Sequence, residues 1–547
     1  DAMRVLSASE MQACDRATTE RFGVPSLKLM RAASAAVSAF AREQFPSAQR
    51  VTVLCGRGNN GGDGMMTARM LATAGLKVTT VLLGSPDGMA GDAAAAWREL
   101  ASPAHGMIHV VREAHELAQY NTALQTDLIV DAIVGTGFVP PLKGLPLAAL
   151  EWIKTCPAPV LAIDLPSGWP ADFFPGSTQG HVFPADAVIT FTAPKPVHVF
   201  GQLTRHGDQP IVVAPIGSPD AAIVSELNLT WAGSAHALTQ TPRPADSNKG
   251  RFGHVLVIGG SVGKSGAPAM TSLTALRAGA GLVTAAVPAP ILASVAQITP
   301  ELMTSPLSAG GAGEIAAKGI TPELCAALTK GITVLAVGPG LGQGPGTVKL
   351  LNALVFESEI PAVIDADALN VLAANPHLLA RLAKLGKAGR TFVLTPHPGE
   401  MARLVGASVE GIQANRLVSA RGFAQQHGVT LVLKGARTLI AHPDGRVAVN
   451  TSGNPAMAKG GSGDMLTGLI AGLLAQYPSD AARAVDAAVY LHGVAADLAA
   501  RAADEHTFLP TDSLREFSRA FRFRSRRPNG YVWLQGTVSS GPREDRG

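Results

Sequence analysis

The sequence predicts an α/β protein in which two parallel β-sheets, each covered by helices, follow one another along the chain. From about Arg50 onward, short β-branched runs alternate with alanine-rich helical stretches, as in VTVLC, MMTARMLATAG, KVTTVLL and DLIVDAIVG. The alternation pauses and then restarts at about His254 with HVLVIGG, TVLAVGPG and PAVIDADALN. The chain has 547 residues, whereas single hydrophobic cores stop growing at roughly 250 to 300 residues. Two doubly wound domains therefore account for the pattern.

The boundary between the domains is expected near TPRPADSNKG, whose prolines and polar residues suit an exposed connection. The predicted organisation is a first domain over residues 1–223, a linker over 224–248, a second domain over 249–515 and a tail over 516–547. The tail is expected to be basic and mobile, because the α/β pattern ends in FRFRSRRPNG and a stretch containing glycine, serine and arginine. Each domain should then fold on its own.

The composition narrows the classes of function. Hydrophobic residues make up 47% of the chain and charged residues 16%, as in a well-packed α/β protein. Aromatic residues make up only 5% and the net charge is +4, so no nucleic-acid partner is expected. The four cysteines lack metal-ligand spacing and are typical of a cytoplasmic protein. The N-terminus lacks the apolar core of a signal peptide, and prolines interrupt the uncharged stretch 278–300, so no membrane association is expected.

The segment CGRGNNGGDG lies where a predicted strand gives way to a predicted helix. Its glycines match the weak GxGxxG fingerprint of Rossmann-like domains, in which helix N-terminal amides hold a phosphate. A glycine-rich turn at such a position is often only a tight turn. Asn59, Asn60 and Asp63 add polar side chains where backbone flexibility alone was needed, which favours ligand contact.

Two later strands place polar groups at the same expected edge of the sheet. DLIVDAIVGTG contains Asp131, and VLAIDLPSG contains Asp164 and Ser167. A lone aspartate after a strand is more often a turn or helix cap. Ligands of open α/β sheets, however, bind outside the carboxyl ends of the strands, and two aspartates converging there with NNGGDG favour a site. Oxygen atoms of Asn60, Asp131 and Ser167 would also suit a cation.

Residues 3–217 resemble the YjeF N-terminal family of NAD(P)H-hydrate epimerases in GRGNNGGDG, DAIVGTGF, IDLPSG and FTAPKP. The resemblance implies binding of a hydrated nicotinamide dinucleotide, with Asp164 as a catalytic group near the reacting ring. It also implies a potassium ion held by Asn60, Asp131 and Ser167. The residues implied to bind the substrate are Asn59, Asn60, Gly61, Gly62, Asp63, Gly135, Thr136, Gly137, Phe138, Val139, Pro140, Pro141 and Asp164.

Two further positions bear on this resemblance. Lys195 in FTAPKP is the candidate catalytic acid that partners Asp164, and the alternative is a solvated loop lysine. The family commonly has an acidic residue directly after LM near its start, whereas Met30 is here followed by Arg31. An arginine at this usually acidic position bears on the rim of the pocket and on any dimer contacts.

The most specific pattern in the chain is NPAMAKGGSGDMLTGLIAGLLA. Its glycine run opens an apolar helix and places Asp464 in the first turn, where free amides can hold a transferring phosphoryl group. A carboxylate there can accept the proton of a substrate hydroxyl, and the alternative is a helix cap. KGART follows the strand VTLVL and brings cations to where nucleotide phosphates would lie, although a charged strand end is as common.

Other predicted strand ends supply the remaining candidates of the second domain. DADALN offers Asp365 and Asp367, TPHPGE offers His397 and Glu400, and GPGLG allows close backbone approach. His397 lies between two prolines in a predicted loop, which favours a binding role over a place in the core. All three segments follow strands and are expected at one edge of the sheet.

Residues 249–503 resemble the YjeF C-terminal family, the ADP-dependent NAD(P)H-hydrate dehydratases of ribokinase-like fold. The matching stretches include GHVLVIGGSVGKSGAPAM, ALRAGAGLV, VGPGLG, DADALN, LTPHPGE and GGSGDMLTG. The resemblance implies phosphorylation of the ring hydroxyl followed by loss of phosphate, with Asp464 catalytic and Mg²⁺–ADP as co-substrate; the choice between ADP and ATP stays open. The residues implied for the substrate are Ala267, Gly340, His397 and Asp464, and those for the nucleotide are Lys434, Gly435, Ala436, Arg437, Thr438 and Gly463.

The two resemblances together predict an enzyme that interconverts the R and S forms of NAD(P)HX and dehydrates the S form, converting ADP to AMP and phosphate. Its expected partners are NAD(P)HX and ADP, and a homo-oligomer is left open. The alternatives are a ribokinase-like small-molecule kinase that leaves a stable phosphate ester, and a first domain that only binds its partner.

Overall fold

The computed structural model describes residues 3–536, which form two compact units. Of the described residues, the first unit contains Met3–Leu227 together with 524–536, and the second unit contains Asn228–Phe523. Each unit is built on a largely parallel sheet with helices, which confirms the predicted α/β class. Within residues 3–536, no helix has both the length and the apolar character needed to cross a membrane.

The N-terminal segment of the first unit alternates strands with helices, as the sequence predicts. Its strands are β1 (Met3–Arg4), β2 (Arg50–Cys55), β3 (Lys77–Leu83), β4 (Met107–Val111), β5 (Leu128–Ala132), β6 (Val160–Ile163), β7 (Ala187–Phe191) and β8 (Ile211–Ala214). Its helices are α1 (Ala8–Glu20), α2 (Ser26–Gln44), α3 (Asn59–Thr73), α4 (Gly91–Ala101), α5 (Gly144–Ile153) and α6 (Pro196–Phe200).

The second unit has the same alternation. Its strands are β9 (Leu229–Trp231), β10 (His254–Ile258), β11 (Leu282–Pro288), β12 (Met303–Leu307), β13 (Val334–Val337), β14 (Ala362–Ile364), β15 (Phe392–Leu394), β16 (Thr430–Leu433), β17 (Leu439–Ala441) and β18 (Val447–Val449). Its helices are α7 (Gly266–Arg277), α8 (Leu292–Ala296), α9 (Pro322–Thr329), α10 (Pro345–Leu350), α11 (Asp367–Ala374), α12 (Pro376–Lys387), α13 (Pro398–Val405), α14 (Val409–Ala414), α15 (Arg416–His427), α16 (Ser462–Gln476), α17 (Ala481–Ala500) and α18 (Phe517–Arg522).

The end of the chain returns to the first unit as strand β19 (Val532–Gln535), which pairs antiparallel with β8. Trp533 is 4% exposed and packs edge-to-face against Phe40 of α2, with ring centroids 6.4 Å apart. The prediction of a mobile tail over 516–547 is therefore wrong for α18 and β19, and residues 537–547 lie outside the described residues. Sequence analysis missed β19 because the strand has only four residues and follows an arginine-rich segment.

The predicted linker, residues 224–248, also differs from the structure. Strand β9 lies within it and pairs in parallel with β18 of the second unit. Trp231 on β9 is buried, and its indole N–H donates to Thr451 Oγ1 at 2.8 Å. Only the later part of the segment, which includes the prolines, is largely exposed. The chain thus leaves the first unit after Leu227 rather than near residue 223.

Strand order places a crevice in each sheet. The first sheet runs β19-β8-β7-β6-β5-β2-β3-β4, and the second runs β9-β18-β17-β16-β15-β14-β13-β10-β11-β12. The order reverses between β2 and β5 in the first unit and between β10 and β13 in the second. Ligands of open α/β sheets bind outside the carboxyl ends of the strands at such switch points.

Candidate active sites

A cavity of about 710 Å³ lies at the switch point of the first sheet, beyond the ends of β2, β5 and β6. Helices α1 and α2 also contribute to its lining. Most of the predicted substrate-binding residues line this cavity, and Lys195 lines it as well. The predicted residues found there are Asn59, Asn60, Asp63, Gly135, Thr136, Gly137, Phe138 and Asp164.

Gly61 and Gly62 stay predicted substrate contacts, and both lie where an added side chain would clash with its neighbours. A Cβ on Gly61 would lie 1.8 Å from the carbonyl oxygen of Gly56, and one on Gly62 would lie 2.6 Å from Met30 Cε. Both glycines are buried and do not belong to the cavity lining. The start of α3 can therefore pack closely against the Gly56 backbone and against Met30 of α2, because these two positions lack side chains.

The predicted stretch 139–141 also lies beyond the cavity lining. Val139 is 81% exposed, and Pro140 and Pro141 follow it on the surface. Phe138, the residue before them, does line the cavity and packs partly against the apolar cluster around Leu142. The loop thus contributes its first half to the cavity and presents its second half to solvent.

Asp164 is held in one position by several donors. Its Oδ2 accepts hydrogen bonds from the Thr136 backbone N–H at 2.7 Å and from the Thr136 hydroxyl, and its Oδ1 accepts one from Thr190 Oγ1 at 2.8 Å. Its backbone has a φ of 71°, a left-handed conformation that a non-glycine residue rarely adopts. Such strain often marks a functional site in a rigid scaffold.

Lys195 is buried rather than solvated, which excludes the alternative left open for it. Its side chain is 2% exposed, and its Nζ lies 3.6 Å from Asp164 Oδ1. The ammonium also donates to Thr190 Oγ1 at 2.7 Å and to the Ala193 carbonyl at 2.9 Å. Burial lowers the pKa of Lys195, although the nearby carboxylates of Asp164 and Asp15 oppose this shift.

The charge on Lys195 decides the ionisation of Asp164. Burial on its own would raise the pKa of Asp164, but attraction to Lys195, followed by smaller contributions from His198 and the Thr136 and Thr190 hydrogen bonds, leaves it below its usual value. His198 Nε2 lies 2.6 Å from the Asp164 carbonyl oxygen, and burial lowers the pKa of this imidazole to about 4. Asp164 is thus a carboxylate at neutral pH, beside a neutral histidine.

The predicted cation ligands are only partly brought together. Ser167 donates to the Asp131 carboxylate from its backbone N–H at 2.8 Å and from its hydroxyl at 2.6 Å, and both side chains are fully buried. Burial raises the pKa of Asp131 to about 6 despite these hydrogen bonds. Asn60 instead belongs to the cavity lining, next to Gly135, and its buried Nδ2 has no hydrogen-bond partner within residues 3–536.

In the second unit, Asp464 lies in the first turn of α16, as predicted. The helix begins after Gly461, which has a φ of 100° and makes no side-chain cap. Within the described residues the Asp464 carboxylate accepts no hydrogen bond, so it does not act as a helix cap; its backbone carbonyl accepts one from Thr271 of α7 at 2.9 Å. Burial raises the pKa of Asp464 to about 6, with a further contribution from Asp365 and an opposing one from Lys434.

Lys434 lies among the candidate groups of this site. It follows β16, and its Nζ lies 3.5 Å from Asp365 Oδ1 at the end of β14. Asp365 is fixed in turn by Thr467 of α16, whose hydroxyl donates to Oδ2 at 2.9 Å. A Cβ on Gly463 would lie 3.0 Å from Lys434 Nζ, so the N-terminus of α16 and this ammonium adjoin each other. A cation thus adjoins the helix end that attracts anions.

The rest of KGART forms the turn between β16 and β17. Gly435 and Ala436 are exposed there, whereas Thr438 is buried and its hydroxyl donates to the Gly435 carbonyl at 2.9 Å. Arg437 donates to the Thr451 carbonyl at 3.1 Å, and burial lowers its pKa to about 10. Its guanidinium therefore supports a neighbouring loop, which sequence analysis did not foresee.

Three of the four predicted substrate residues of the second unit fall near one another. Ala267 lies in the first turn of α7, and a Cβ on Gly340 would lie 3.2 Å from its methyl group. Helix α7 packs along α16, which carries Asp464. His397 caps α13, with its Nδ1 accepting from the N–H groups of Gly399 at 3.0 Å and Glu400 at 3.2 Å. The other nitrogen of this half-exposed ring, Nε2, lies 3.5 Å from Glu400 Oε1.

Sequence analysis missed two acidic residues of the first cavity, Asp15 of α1 and Asp92 of α4. Asp15 of α1 lines it, yet the surrounding MQACDRAT carries no motif and shows only helical periodicity, with Met11, Cys14 and Thr18 buried. Arg31, the position that departs from the family pattern, pairs with Glu99 of α4, which also holds Arg69 at 3.1 Å. The arginine therefore joins α2 to α4 rather than lining the cavity.

Comparisons with known proteins cover both units. A family model described as YjeF-related protein N-terminus matches residues 26–197, and one described as NAD(P)H-hydrate dehydratase matches residues 255–519. A bifunctional NAD(P)H-hydrate repair enzyme of Moorella thermoacetica is 39% identical over 520 residues, covering 94% of this chain and 95% of that protein. The enzyme of the same name from Escherichia coli is 36% identical, covering 92% and 91%.

A solved structure is also similar in part. It is the ADP/ATP-dependent NAD(P)H-hydrate dehydratase of Bacillus subtilis, co-crystallised with ATP and Mg²⁺. It is 32% identical, covers 53% of this chain and 96% of its own, and superposes with a TM-score of 0.44.

Proposed function

Because this chain belongs to the family of bifunctional NAD(P)H-hydrate repair enzymes, we propose that it performs both repair reactions at two separate sites. The cavity of the first unit interconverts the R and S forms of hydrated NADH and NADPH. The site around Asp464 and Lys434 in the second unit dehydrates the S form and regenerates the reduced cofactor. The observation that carries this proposal furthest is the unbonded, partly desolvated Asp464 carboxylate at the N-terminus of α16.

In the second unit the proposed reaction begins with removal of a proton from the ring hydroxyl by Asp464. The hydroxyl oxygen attacks the terminal phosphoryl group of the nucleotide, and the free amides at the start of α16 stabilise the developing charge. Lys434 lies where it can hold the phosphates. The phosphate then leaves the ring as a proton is lost from the adjacent carbon, which restores the double bond. With ADP as co-substrate the products are NAD(P)H, AMP and phosphate.

Mg²⁺ enters this proposal with the nucleotide, whose phosphate charge it would neutralise. Asp365 and Asp464 are carboxylates beside Lys434, and their oxygens suit such a metal–nucleotide complex. Asp365 faces Lys434, while Asp367 accepts from the Gly342 backbone N–H at 2.8 Å. ADP and ATP are both compatible with these groups.

We also propose that Asn60, Asp131 and Ser167 hold a potassium ion behind the first cavity. The support is their oxygen chemistry, which suits a hard cation, and the buried, unpartnered amide of Asn60. Side-chain amide orientation is interchangeable in such an environment, so the Asn60 oxygen can take the place of its nitrogen. A bound cation would neutralise Asp131 and fix the loop that carries Gly135.

The potassium site is tested by thermal unfolding as well as by activity. Asp131→Asn should abolish the stabilisation of the first unit by KCl over an equal concentration of NaCl, and it should slow epimerisation. Asp127→Asn, which removes a surface carboxylate paired with Arg50 at 2.9 Å, is the matched control and should keep the potassium response. Identical potassium responses in the parent and in Asp131→Asn would refute the site.

The proposed function is tested by incubating the purified chain with both hydrate epimers, Mg²⁺ and either ADP or ATP. The expected result is complete recovery of reduced-nicotinamide absorbance with one orthophosphate released for each molecule repaired. Recovery of only half of an equal mixture would show that the first unit does not epimerise. A stable phosphorylated product without orthophosphate would instead favour the ribokinase-like metabolite kinase, which shares the GGSGD segment.

A further inference from the structure

One part of the first cavity comes from a helix that supplies no recognised motif. Helix α1 contributes Gln12 and Asp15 to the lining, whereas the strand-end loops contribute Asp164. Because Met11, Cys14 and Thr18 form the buried face of α1, Asp15 lies at the edge of that face rather than away from it. Its side chain is accessible to solvent within the cavity.

Asp15 differs from the other acidic residue near the start of this helix. Glu10 is fixed by the capping box with Ser7 and by Ser225 Oγ at 2.8 Å and the Glu226 N–H at 2.6 Å. Asp15 accepts no hydrogen bond from any residue within 3–536. A carboxyl group that the fold does not use remains able to exchange a proton with a ligand in the cavity.

The electrostatic surroundings of Asp15 tie it to the catalytic pair. Partial desolvation by the cavity walls raises its pKa to about 6; the Lys195 ammonium lowers it, and the Asp164 carboxylate raises it. Asp15 is the cavity carboxyl that couples to both Asp164 and Lys195. Burial raises the pKa of Asp63 well above the usual range, and the nearby carboxyl groups of Asp164, Asp15 and Asp92 raise it further. The titratable groups that interact with Asp15 are therefore Lys195, Asp164, Asp63 and the buried thiol of Cys14.

The chemistry of epimerisation calls for two such carboxyl groups. Hydration of the enamine-like double bond of a dihydronicotinamide puts the hydroxyl on the carbon bonded to the ring nitrogen. Inverting that carbon requires departure of the hydroxyl from one face and addition of water to the other. An acid must protonate the leaving oxygen and a base must take a proton from the incoming water. Sites for such reactions hold two titratable groups whose pKa values are pushed apart.

We propose that Asp15 is the second acid–base residue of the epimerase and acts on the ring face opposite to Asp164. This inference rests on the proposed epimerase function of the first unit. Asp15 gives its proton to the leaving hydroxyl, the carbon–oxygen bond breaks, and the ring nitrogen lone pair forms a carbon–nitrogen double bond as water departs. Water then adds to the opposite face, with its proton going to Asp164. The opposite reaction reverses every transfer. For successive turnovers in one direction, the proton on Asp164 returns to Asp15 through water in the cavity, so no further reactant is consumed.

Lys195 has a distinct part in this arrangement. Its ammonium keeps Asp164 ionised, so the two carboxyl groups begin in opposite protonation states. For Asp15, by contrast, desolvation outweighs the attraction to Lys195, so its pKa is raised. The same lysine thus separates the two acidities, as acid–base catalysis on both faces needs.

The test is Asp15→Asn in the full chain, with R-to-S conversion followed chromatographically in the absence of nucleotide. We expect kcat to fall on the order of a hundredfold to ten-thousandfold, with a much smaller change in KM. In the parent, kcat/KM should decline as the pH rises above about 6, because Asp15 loses its proton there. Asp15→Asn should lose this declining limb, and Asp15→Glu should restore part of both the rate and the limb.

Two controls separate catalysis from folding. Glu20→Gln removes another exposed carboxylate from α1 and should epimerise like the parent. Dehydration of the S epimer by Asp15→Asn should be unchanged. If the parent itself does not interconvert the epimers, the proposed function of the first unit fails. If the parent does so and Asp15→Asn matches it, or keeps the declining limb, the role of Asp15 alone is overturned.

Discussion

Asp164 in the first unit accepts three hydrogen bonds and faces the Lys195 ammonium, whereas Asp464 in the second unit accepts no hydrogen bond from the described residues. Both carboxylates follow glycine-rich or strand-end segments that sequence analysis identified. Their acidities nevertheless move in opposite directions: the pKa of Asp164 lies below its usual value and that of Asp464 rises to about 6.

The difference teaches that burial raises the pKa of a carboxylate unless nearby partners oppose the shift. Desolvation is the largest influence at both sites and would raise both pKa values. A buried cation at 3.6 Å reverses the effect for Asp164, while Asp365 adds to it for Asp464. The first site thus holds a fixed charge, and the second holds a base with a pKa close to the operating pH, where proton transfer is most effective.

The largest expected effect on stability comes from the packing of β19 against α2 in the first unit. Trp533→Ala removes the one large aromatic side chain by which β19 packs against α2, and should destabilise the first unit by about 3 to 5 kcal/mol. Denaturant unfolding followed by circular dichroism, with epimerase activity measured at each concentration, checks this. Dehydratase activity should survive to the same denaturant concentration as in the parent.

Trp152→Ala provides the matched control for this substitution. Trp152 lies on α5 of the same unit but is only partly buried, with its indole N–H bonded to Asn121 Oδ1 at 2.8 Å. Its loss should cost clearly less than that of Trp533. No loss for Trp533→Ala would mean that β19 is dispensable and that the first unit ends at Leu227. Equal losses for the two variants would mean that the burial of Trp533 gives it no special weight.

The pH dependence of dehydration should sharpen the contrast between the two aspartates. Asp464 acts as a base only when ionised, and its pKa is raised to about 6 by burial. The value of kcat/KM for dehydration should therefore fall about tenfold per pH unit as the pH drops below that pKa. Asp164, with its pKa lowered, should impose no comparable fall on epimerisation in the same range. If kcat/KM fell in parallel for both reactions at low pH, the proposed difference between Asp464 and Asp164 would be refuted.

The smallest expected effect is that of Arg31→Ala. Arg31 and Glu99 form a partly exposed ion pair, with side chains 42% and 28% exposed. Such pairs contribute about 0 to 1 kcal/mol, and Arg69 remains to hold Glu99. Thermal unfolding should change little, and epimerisation should be unaffected because Arg31 does not line the cavity. A loss of epimerase activity would show that this position, acidic in the family pattern, shapes the pocket after all.

Sequence patterns located the groups that follow strands, and missed those that depend on distant pairing. Asp164, Lys434 and Asp464 stand beside glycine-rich or strand-end segments, whose local geometry is legible in the chain. Asp15 lies in an ordinary amphipathic helix, and its place at the cavity follows only from the packing of α1. Strand β19 is short and arginine-flanked, and only its antiparallel pairing with β8 gives it a role. The ion pair between Lys195 and Asp164 could likewise not be predicted from the sequence, because folding brings the two residues together.

The most direct test of two separate sites is Asp464→Asn in the full chain, assayed with each pure epimer. The substitution keeps the shape of the side chain and removes the proposed base, so dehydration of the S form should fall on the order of a hundredfold to ten-thousandfold. The variant should still interconvert the R and S forms at the parental rate and still bind ADP. Dehydration at near-parental rate, or loss of both activities in a folded variant, would contradict the account.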